Sequence, residues 1–367
     1  MIDTVLLDAI PLCFFFLICI TIKLAPRGNL HTDYLSKDKT TTLRGIMAIG
    51  IVLHHMSERV TGGYLFPQMV HAGYLLVSTF FFLSGYGLIV QYQKRRDSYL
   101  KGFLRKRLLY LVIVYLLDVA AYTVFDLLMG KTHSVLEIIQ SIYMGGIAKN
   151  AWYMIVLIVF YACFWIIFRL LPNVPIRVKI FLVFLCQLAF IGVCLVTGRN
   201  GVWYVSNFGF SLGMLWACEK ERIDALAERR YWLLLGTLLF GFAFLSALPV
   251  VLERLLQLRA YDNVPRTICR LISTPLSSAI LILLLVKVRF TGKLWAFLGE
   301  ISLEIYLLHG MAYTFFRSER VYLDSEALWV ICTVAASILM AIPASKLNRA
   351  IAVICKRDRS RKGLERT

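Results

Sequence analysis

About eleven stretches of mainly apolar residues, each close to twenty long, recur along this chain, and they constrain its fold more than any motif does. They lie near 5–24, 42–58, 69–91, 108–129, 151–171, 179–197, 200–217, 231–252, 267–287, 295–316 and 326–345. A helix of about 20 residues covers the roughly 30 Å hydrocarbon core of a bilayer. The runs do not alternate apolar with polar residues, which argues against a transmembrane β-barrel. Hydrophobic residues make up 59% of the chain and charged residues 17%. A soluble domain is nearer 45–50% apolar and about 25% charged, so a water-soluble enzyme would have too much apolar surface to hide. Disorder is excluded for the same reason. The fold class expected is an all-α, polytopic helical membrane bundle of about eleven transmembrane helices.

The charges lie mostly between the runs and set the expected orientation. Lys+Arg number 40 and Asp+Glu 22, a formal net charge of +18. Segment 92–107 carries Lys94, Arg95, Arg96, Lys101, Arg105, Lys106 and Arg107, and the end of the chain carries Lys346, Arg349, Lys356, Arg357, Arg359, Arg361, Lys362 and Arg366. Loops rich in Lys and Arg stay in the cytoplasm. Alternation then places Arg27, Lys37 and Lys39 inside, together with Lys220, Arg222, Arg229 and Arg230. The N-terminus falls outside and the C-terminus in the cytoplasm of a multi-pass protein of the cell (plasma or inner) membrane. Arg254, Arg259, Arg266 and Arg270 depart from the rule, on the expected outer side. The positive charge is accounted for by topology and by membrane lipid, and nucleic acid is not an expected partner.

The first run is expected to be a retained helix. Its leading residues include Asp3 and Asp8 and no Lys or Arg, the reverse of the basic start of a signal peptide. The nine cysteines are scattered mostly within the runs, with no Cys-x-x-Cys, and read as small apolar residues with no metal site among them. No internal repeat or separate soluble domain is visible. Any chemistry must take place in the bilayer or at its surface.

Ionisable groups inside a span are costly and point to function. The second run holds Arg44, His54 and His55. Arg44 and His55 are eleven residues apart, about three helical turns, so they share one face with a rise of roughly 16 Å between them. His54 is turned about 80° away. In the tenth run Ser302 and His309 share a face, and the depth of His309 matches that of His55. Glu304 points elsewhere, toward a different partner. Asp118 and Asp126 in the fourth run are candidates for buried or interfacial partners. Trp152, Tyr153 and Tyr161 read as interface or core aromatics. The segment Phe80-Phe81-Phe82-Leu83-Ser84-Gly85, and the pair Gly209 and Gly213, suit close helix packing.

Taken together these segments resemble acyltransferase family 3, the membrane-bound O-acyltransferases of bacterial surface glycans. The resemblance rests on Arg44 followed ten residues on by His55, then Phe80-Phe81-x-x-Ser84-Gly85. It continues with Arg105-Lys106-Arg107, with Trp152 and Phe160-Tyr161, and ends with Gly299-x-x-Ser302-x-x-x-Tyr306-Leu307-x-His309. It runs from about 40 to 345. It implies three parts: an extra N-terminal transmembrane helix in 1–30, an acyltransferase membrane domain of ten helices in 31–345, and a basic cytoplasmic tail in 346–367. The sequence departs from the family at Leu157, where many members carry a glutamate. It departs again at Tyr110 and Ile113, where many carry an arginine and a proline.

The resemblance implies transfer of an acyl group, usually acetyl, from cytoplasmic acyl-CoA (acetyl-CoA) as donor substrate to a hydroxyl of a cell-surface glycan or a lipid-linked sugar. No permanently bound cofactor is expected. His55 is the expected base, since histidine suits proton transfer near neutral pH. His309 is expected to orient the acceptor or share the proton transfer. Arg44, Arg105 and Arg107 are the expected coenzyme A contacts, because arginine matches phosphate geometry, and Arg44 is also expected in the catalytic group with His55 and His309. Ser84, Trp152, Ser302 and Tyr306 are the expected substrate-binding or supporting residues. The alternative is a small-solute or amino-acid permease, in which the same intramembrane groups relay protons.

Overall fold

In hydrocarbon every backbone N–H and C=O must be paired within the chain, and a helix does this locally; the apolar runs fold as helices accordingly. The computed structural model describes residues 2–26, 28–255 and 264–356. Arg27, Arg259, Arg357, Arg359, Arg361, Lys362 and Arg366 lie outside the described residues. In chain order the elements are α1 (Ile2–Cys19), β1 (Ile22–Leu24), α2 (Lys37–Ser57), α3 (Gly73–Phe103), α4 (Tyr110–Leu128), α5 (Val135–Met144), α6 (Trp152–Leu170), α7 (Ile176–Val196), α8 (Phe208–Leu255), α9 (Val264–Leu284), β2 (Val288–Phe290), α10 (Lys293–Glu300), α11 (Ser302–Phe315) and α12 (Glu326–Lys356). This is an all-α, multi-pass membrane protein. Strand is confined to one short antiparallel pair among the described residues, with Ile22 opposite Phe290.

Seven continuous helical stretches among the described residues are long and apolar enough to cross a membrane. Two of them, Phe66–Leu128 and Gly201–Leu255, hold 63 and 55 residues, roughly 95 and 80 Å of helix and too long for one crossing. Each bends at a single arginine with non-helical torsions, Arg96 (φ 47, ψ −127) and Arg230 (φ −142, ψ 37). The second bend is a reversal, shown by what α9 touches. Thr274 bonds to Val205 O before α8 begins, and Lys287 lies over the Tyr231 ring just after the bend. The rest of α8 then returns along α9, with Gly241 against Leu276 and Glu253 paired to Arg266. With both stretches divided and α2 and the α10–α11 pair added, the passages match the eleven apolar runs.

The differences from expectation have local causes. The tenth run is not one helix: it breaks at Ile301 (φ −113, ψ 16) between α10 and α11. The break sits where α10 crosses α2 backbone to backbone. A Cβ on Gly45 would strike the carbonyl of Trp295, and one on Gly299 the carbonyl of Thr41. Segment 92–107 is not a loop; after Arg96 it stays helical, with a π-helical turn over Leu104–Leu109. Helix α5 was not expected. Its start is fixed by reciprocal hydrogen bonds between Ser134 and Glu137. The basic end of the chain is helical as far as Lys356, because Asn348 bonds Glu304 (2.8 Å) and Arg349 pairs with Glu300 (3.0 Å).

Small residues draw the central helices together. Gly85 faces Phe210 O, Gly209 faces Ser78 O and Gly213 faces Phe82 O, so α3 and α8 touch through their backbones. This is the packing that the Gly209–Gly213 spacing predicts. The two acidic residues of α1 serve other elements. Asp3 accepts from Ser325 Oγ (2.5 Å) and from Glu326 N (2.9 Å), at the start of α12. Asp8 accepts from the backbone N–H groups of Tyr64, Leu65 and Phe66. Both satisfy donors that a helix start leaves open. They also place the start of α1, the segment after α2 and the start of α12 at one end of the bundle. The β1–β2 pair, Arg107 and the end of α12 lie at the other.

Candidate functional site

Two histidines far apart in sequence meet in the bundle. The rings of His55 on α2 and His309 on α11 stack at 5.1 Å between centroids and 18° between planes. The hydrogen bonds around them settle which nitrogen carries the proton in each ring. His309 Nδ1 lies 2.6 Å from Tyr306 O, which can only accept, so Nδ1 is the donor. Its Nε2 lies 3.0 Å from Asn150 Nδ2 and accepts from that amide. Both nitrogens of His309 are therefore occupied, and the ring is fully buried. His55 differs. Its Nδ1 donates to Glu58 Oε2 at 3.0 Å, one helical turn on, and a carboxylate on Nδ1–H leaves Nε2 as a free acceptor. This is the arrangement by which a carboxylate orients a histidine base.

Asn150 belongs to the loop between α5 and α6 and has φ 64, in the left-handed region that asparagine tolerates better than most residues. Its carbonyl accepts from Tyr306 Oη at 2.6 Å. The loop is thus tied twice to α11, once through His309 and once through Tyr306.

A cavity of about 680 Å³ runs inward from the end of the bundle that carries Lys37, Lys94, Arg107 and Lys220. Further in it is lined by Arg44, Ser84, Leu157, Tyr161, Ser302 and Tyr306. Arg44 is half-buried; its Nη2 donates to Thr41 Oγ1 (2.8 Å) while Nε has no partner. Among the described residues no carboxylate pairs with it. Ser84 faces the hydroxyls of Tyr153 and Tyr161, and Ser302 Oγ bonds Gly299 O (2.9 Å).

A second, smaller pocket of about 500 Å³ opens at the opposite end, lined by Arg59, Lys149, Tyr313, Arg317, Glu326 and Trp329 among others. The histidine pair lies between the two. Ile51 and Arg59, one turn before and one turn after His55, line the larger cavity and the smaller pocket respectively. On α11, Tyr306 lines the cavity and Tyr313 the pocket, and each ring lies 6.0 Å from the His309 ring.

The expected site residues thus fall into groups. Arg44, Arg107, Ser84, Ser302 and Tyr306 line one cavity, with His55 and His309 just beyond its inner end. Arg105 does not line it; its Nε donates to Cys355 O (2.9 Å) on α12. Trp152 also stands outside, packed edge-on against Tyr153 at 6.3 Å. Leu157, in place of the family glutamate, faces the cavity. Of the acidic candidates, Glu304 bonds Asn348, Asp126 pairs with His133 (2.8 Å), and Asp118 is buried with neither oxygen hydrogen-bonded. Donor atoms of His54, His55 and Glu58 lie within 4.8 Å of one another. Arg59 also contacts that carboxylate at 3.2 Å, so a metal ion there would face a guanidinium.

Sequence reading missed Glu58, Asn150, Lys149 and Tyr313. Glu58 carried a signal, since it stands three residues after His55 on the same helix. Asn150 carried none, because a loop residue reaches its partner only through the fold.

An oriented histidine pair, His309 buried and His55 half-buried, thus lies between two cavities of a helical bundle built to cross a membrane. The profile of a family described as an acyltransferase domain matches residues 41–346, and the chain belongs to that family, acyltransferase family 3. It is an acyl-transferring enzyme, and α1 precedes the matched region. No curated protein and no solved structure matches the chain.

Proposed function

We propose that this enzyme transfers an acyl group, acetyl in the simplest case, from cytoplasmic acyl-CoA to a hydroxyl of a cell-surface glycan or lipid-linked sugar at the outer face of the cell membrane. The observation that carries this reading is the placement of His55 between a cavity open at one end of the bundle and a pocket open at the other. The basic residues at its mouth support a cytoplasmic side for the larger cavity. Lys37, Lys94, Arg107 and Lys220 at its mouth suit the coenzyme A phosphates. Arg44 waits deeper with an unpartnered Nε. Apart from Asp33 and Gln91, the remaining lining is of hydroxyls and apolar side chains and suits an uncharged pantetheine arm, which delivers the thioester toward the histidines.

His55 Nε2 removes the proton of the acceptor hydroxyl as its oxygen bonds to the thioester carbonyl carbon. The carbon–sulfur bond then breaks, and the proton passes to the departing thiolate, leaving an ester and free coenzyme A. Glu58 holds His55 in the tautomer this needs and stabilises the imidazolium formed in between. His309, with both nitrogens engaged, acts as a positioning residue that stacks on the base.

The test is the O-acetyl ester content of cell-surface glycans in wild type, a deletion, and a His55→Ala variant present in the membrane at normal level. Ester is expected to fall in both altered strains, with activity of the variant down about 100-fold or more. Ester lost in the deletion but kept in the variant would remove His55 from the chemistry. Equal ester in all three would reject acetyl transfer to glycans.

A further inference from the structure

The smaller pocket gathers three cations, of which Arg59 alone pairs with a carboxylate among the described residues. Arg59 follows α2, Lys149 lies in the α5–α6 loop and Arg317 follows α11, and the three converge around Tyr313 and Trp329. The Arg59 guanidinium and the Lys149 ammonium both lie over the Tyr313 ring, at 4.3 and 4.9 Å from its centroid. Arg317 lies over Trp329 at 4.6 Å. Among the described residues neither Lys149 nor Arg317 has a carboxylate partner. Lys149 Nζ bonds only the hydroxyl of Thr314 (2.5 Å), and Arg317 bonds Tyr322 Oη (2.8 Å) with its Nε unpartnered.

The carboxylates nearby are already engaged. Glu326 lines the pocket, but its oxygens accept from Thr61 N (2.8 Å) and Gly62 N (2.8 Å). Glu58 is shared by His55 and Arg59. Gathering three cations on aromatic walls costs free energy unless an anion joins them. Burial, with the Arg59 charge added, already holds the Lys149 ammonium below its ordinary range. Retention of basic loops in the cytoplasm explains the cations of the other face; on the outer face the same rule would disfavour these.

We propose that this pocket selects an acceptor bearing an anionic group, a phosphate or a carboxylate, beside the hydroxyl that is acylated. The inference rests on the acyltransfer reading above and specifies its acceptor. The anion docks on Arg59, Lys149 and Arg317. Tyr313, whose ring is 6.0 Å from that of His309, forms the wall between that anion and the histidine pair. The acceptor sugar would be held with its hydroxyl toward His55. A neutral sugar would leave Lys149 and Arg317 without an anionic partner and bind more weakly.

The test separates surface glycans of wild type and deletion by anion exchange into retained and unretained fractions, with ester measured in each. Ester is expected to be lost from the retained, anionic fraction. A double Lys149→Gln, Arg317→Gln variant, at normal membrane level and with coenzyme A binding unchanged, is expected to lower ester there by about tenfold or more. Lys149→Arg in otherwise native protein should retain most of it. Ester lost only from the neutral fraction, or kept in full by the double variant, would overturn the anionic acceptor and leave acyl transfer standing. Ester unchanged by the deletion in both fractions would overturn the acyltransfer reading and this inference with it.

Discussion

The two openings of this enzyme differ in how they deploy charge. In the larger cavity, of about 680 Å³, cations ring the mouth together with Asp33, and one guanidinium, Arg44, stands deeper; apart from Gln91 the rest of the lining is hydroxyl and hydrocarbon. In the smaller pocket, of about 500 Å³, three cations stand directly on the aromatic walls. The first pattern fits a long ligand whose anionic end stays near the surface while an uncharged arm reaches in. The second fits a compact anion held close to the chemistry. On the proposed reading the bundle brings two polar substrates together across hydrocarbon while keeping their charges apart, with His55 where the two routes end.

After the loss of His55 itself, the largest effect should come from Arg44. On the proposed reading it contacts the donor alone, through hydrogen bonds to a charged group worth about 1.5–3 kcal/mol. Arg44→Gln is therefore expected to raise the donor KM by about 10- to 150-fold, with the acceptor KM unchanged. Arg44→Lys should recover only part of this, because an ammonium lacks the planar fork of donors. Steady-state kinetics of the purified enzyme in lipid, with each substrate varied in turn, measure both. An acceptor KM that rises instead would place Arg44 on the other side of the histidines and break the comparison.

Glu58 sharpens the comparison from the middle, since it faces neither substrate in the proposed arrangement. Glu58→Gln keeps the shape but lets Nδ1 of His55 lose its fixed proton. A fall in kcat of about 10- to 100-fold is expected, with both KM values little changed. The same measurement checks it: a change confined to the acceptor KM would make Glu58 part of the outer pocket.

Much of the architecture was legible in the sequence because lipid leaves the backbone few choices. The apolar runs marked the passages, and the Gly209–Gly213 spacing marked the α3–α8 contact. The eleven-residue spacing of Arg44 and His55 put both on one helix face. The broken tenth run was not legible, because its break at Ile301 answers to the backbone approach of α2 through Gly45 and Gly299. The bends at Arg96 and Arg230 were hidden in continuous helical segments. Within the site, the residues missed are those whose role depends on a loop returning. Lys149 and Asn150 carry no periodicity, and nothing in their spacing relates them to residues about 160 positions later on α11.

Asn150 offers the smallest effect and separates two reasons for its presence. Its amide donates to His309 Nε2, and its backbone sits at φ 64. Asn150→Gly removes the amide but accepts the backbone; Asn150→Ala removes the amide and strains the backbone by about 1 kcal/mol. If the amide matters because it fixes the ring that stacks on His55, both variants should lose about 2- to 10-fold in kcat, the worth of one hydrogen bond. Only Asn150→Ala should then also lower thermal stability. Full activity in Asn150→Gly would mean that the loop needs the left-handed turn and not the amide. His309 would then be held by Tyr306 O and by packing alone, and the outer pocket would be joined to the histidines through Tyr313 without help from this loop.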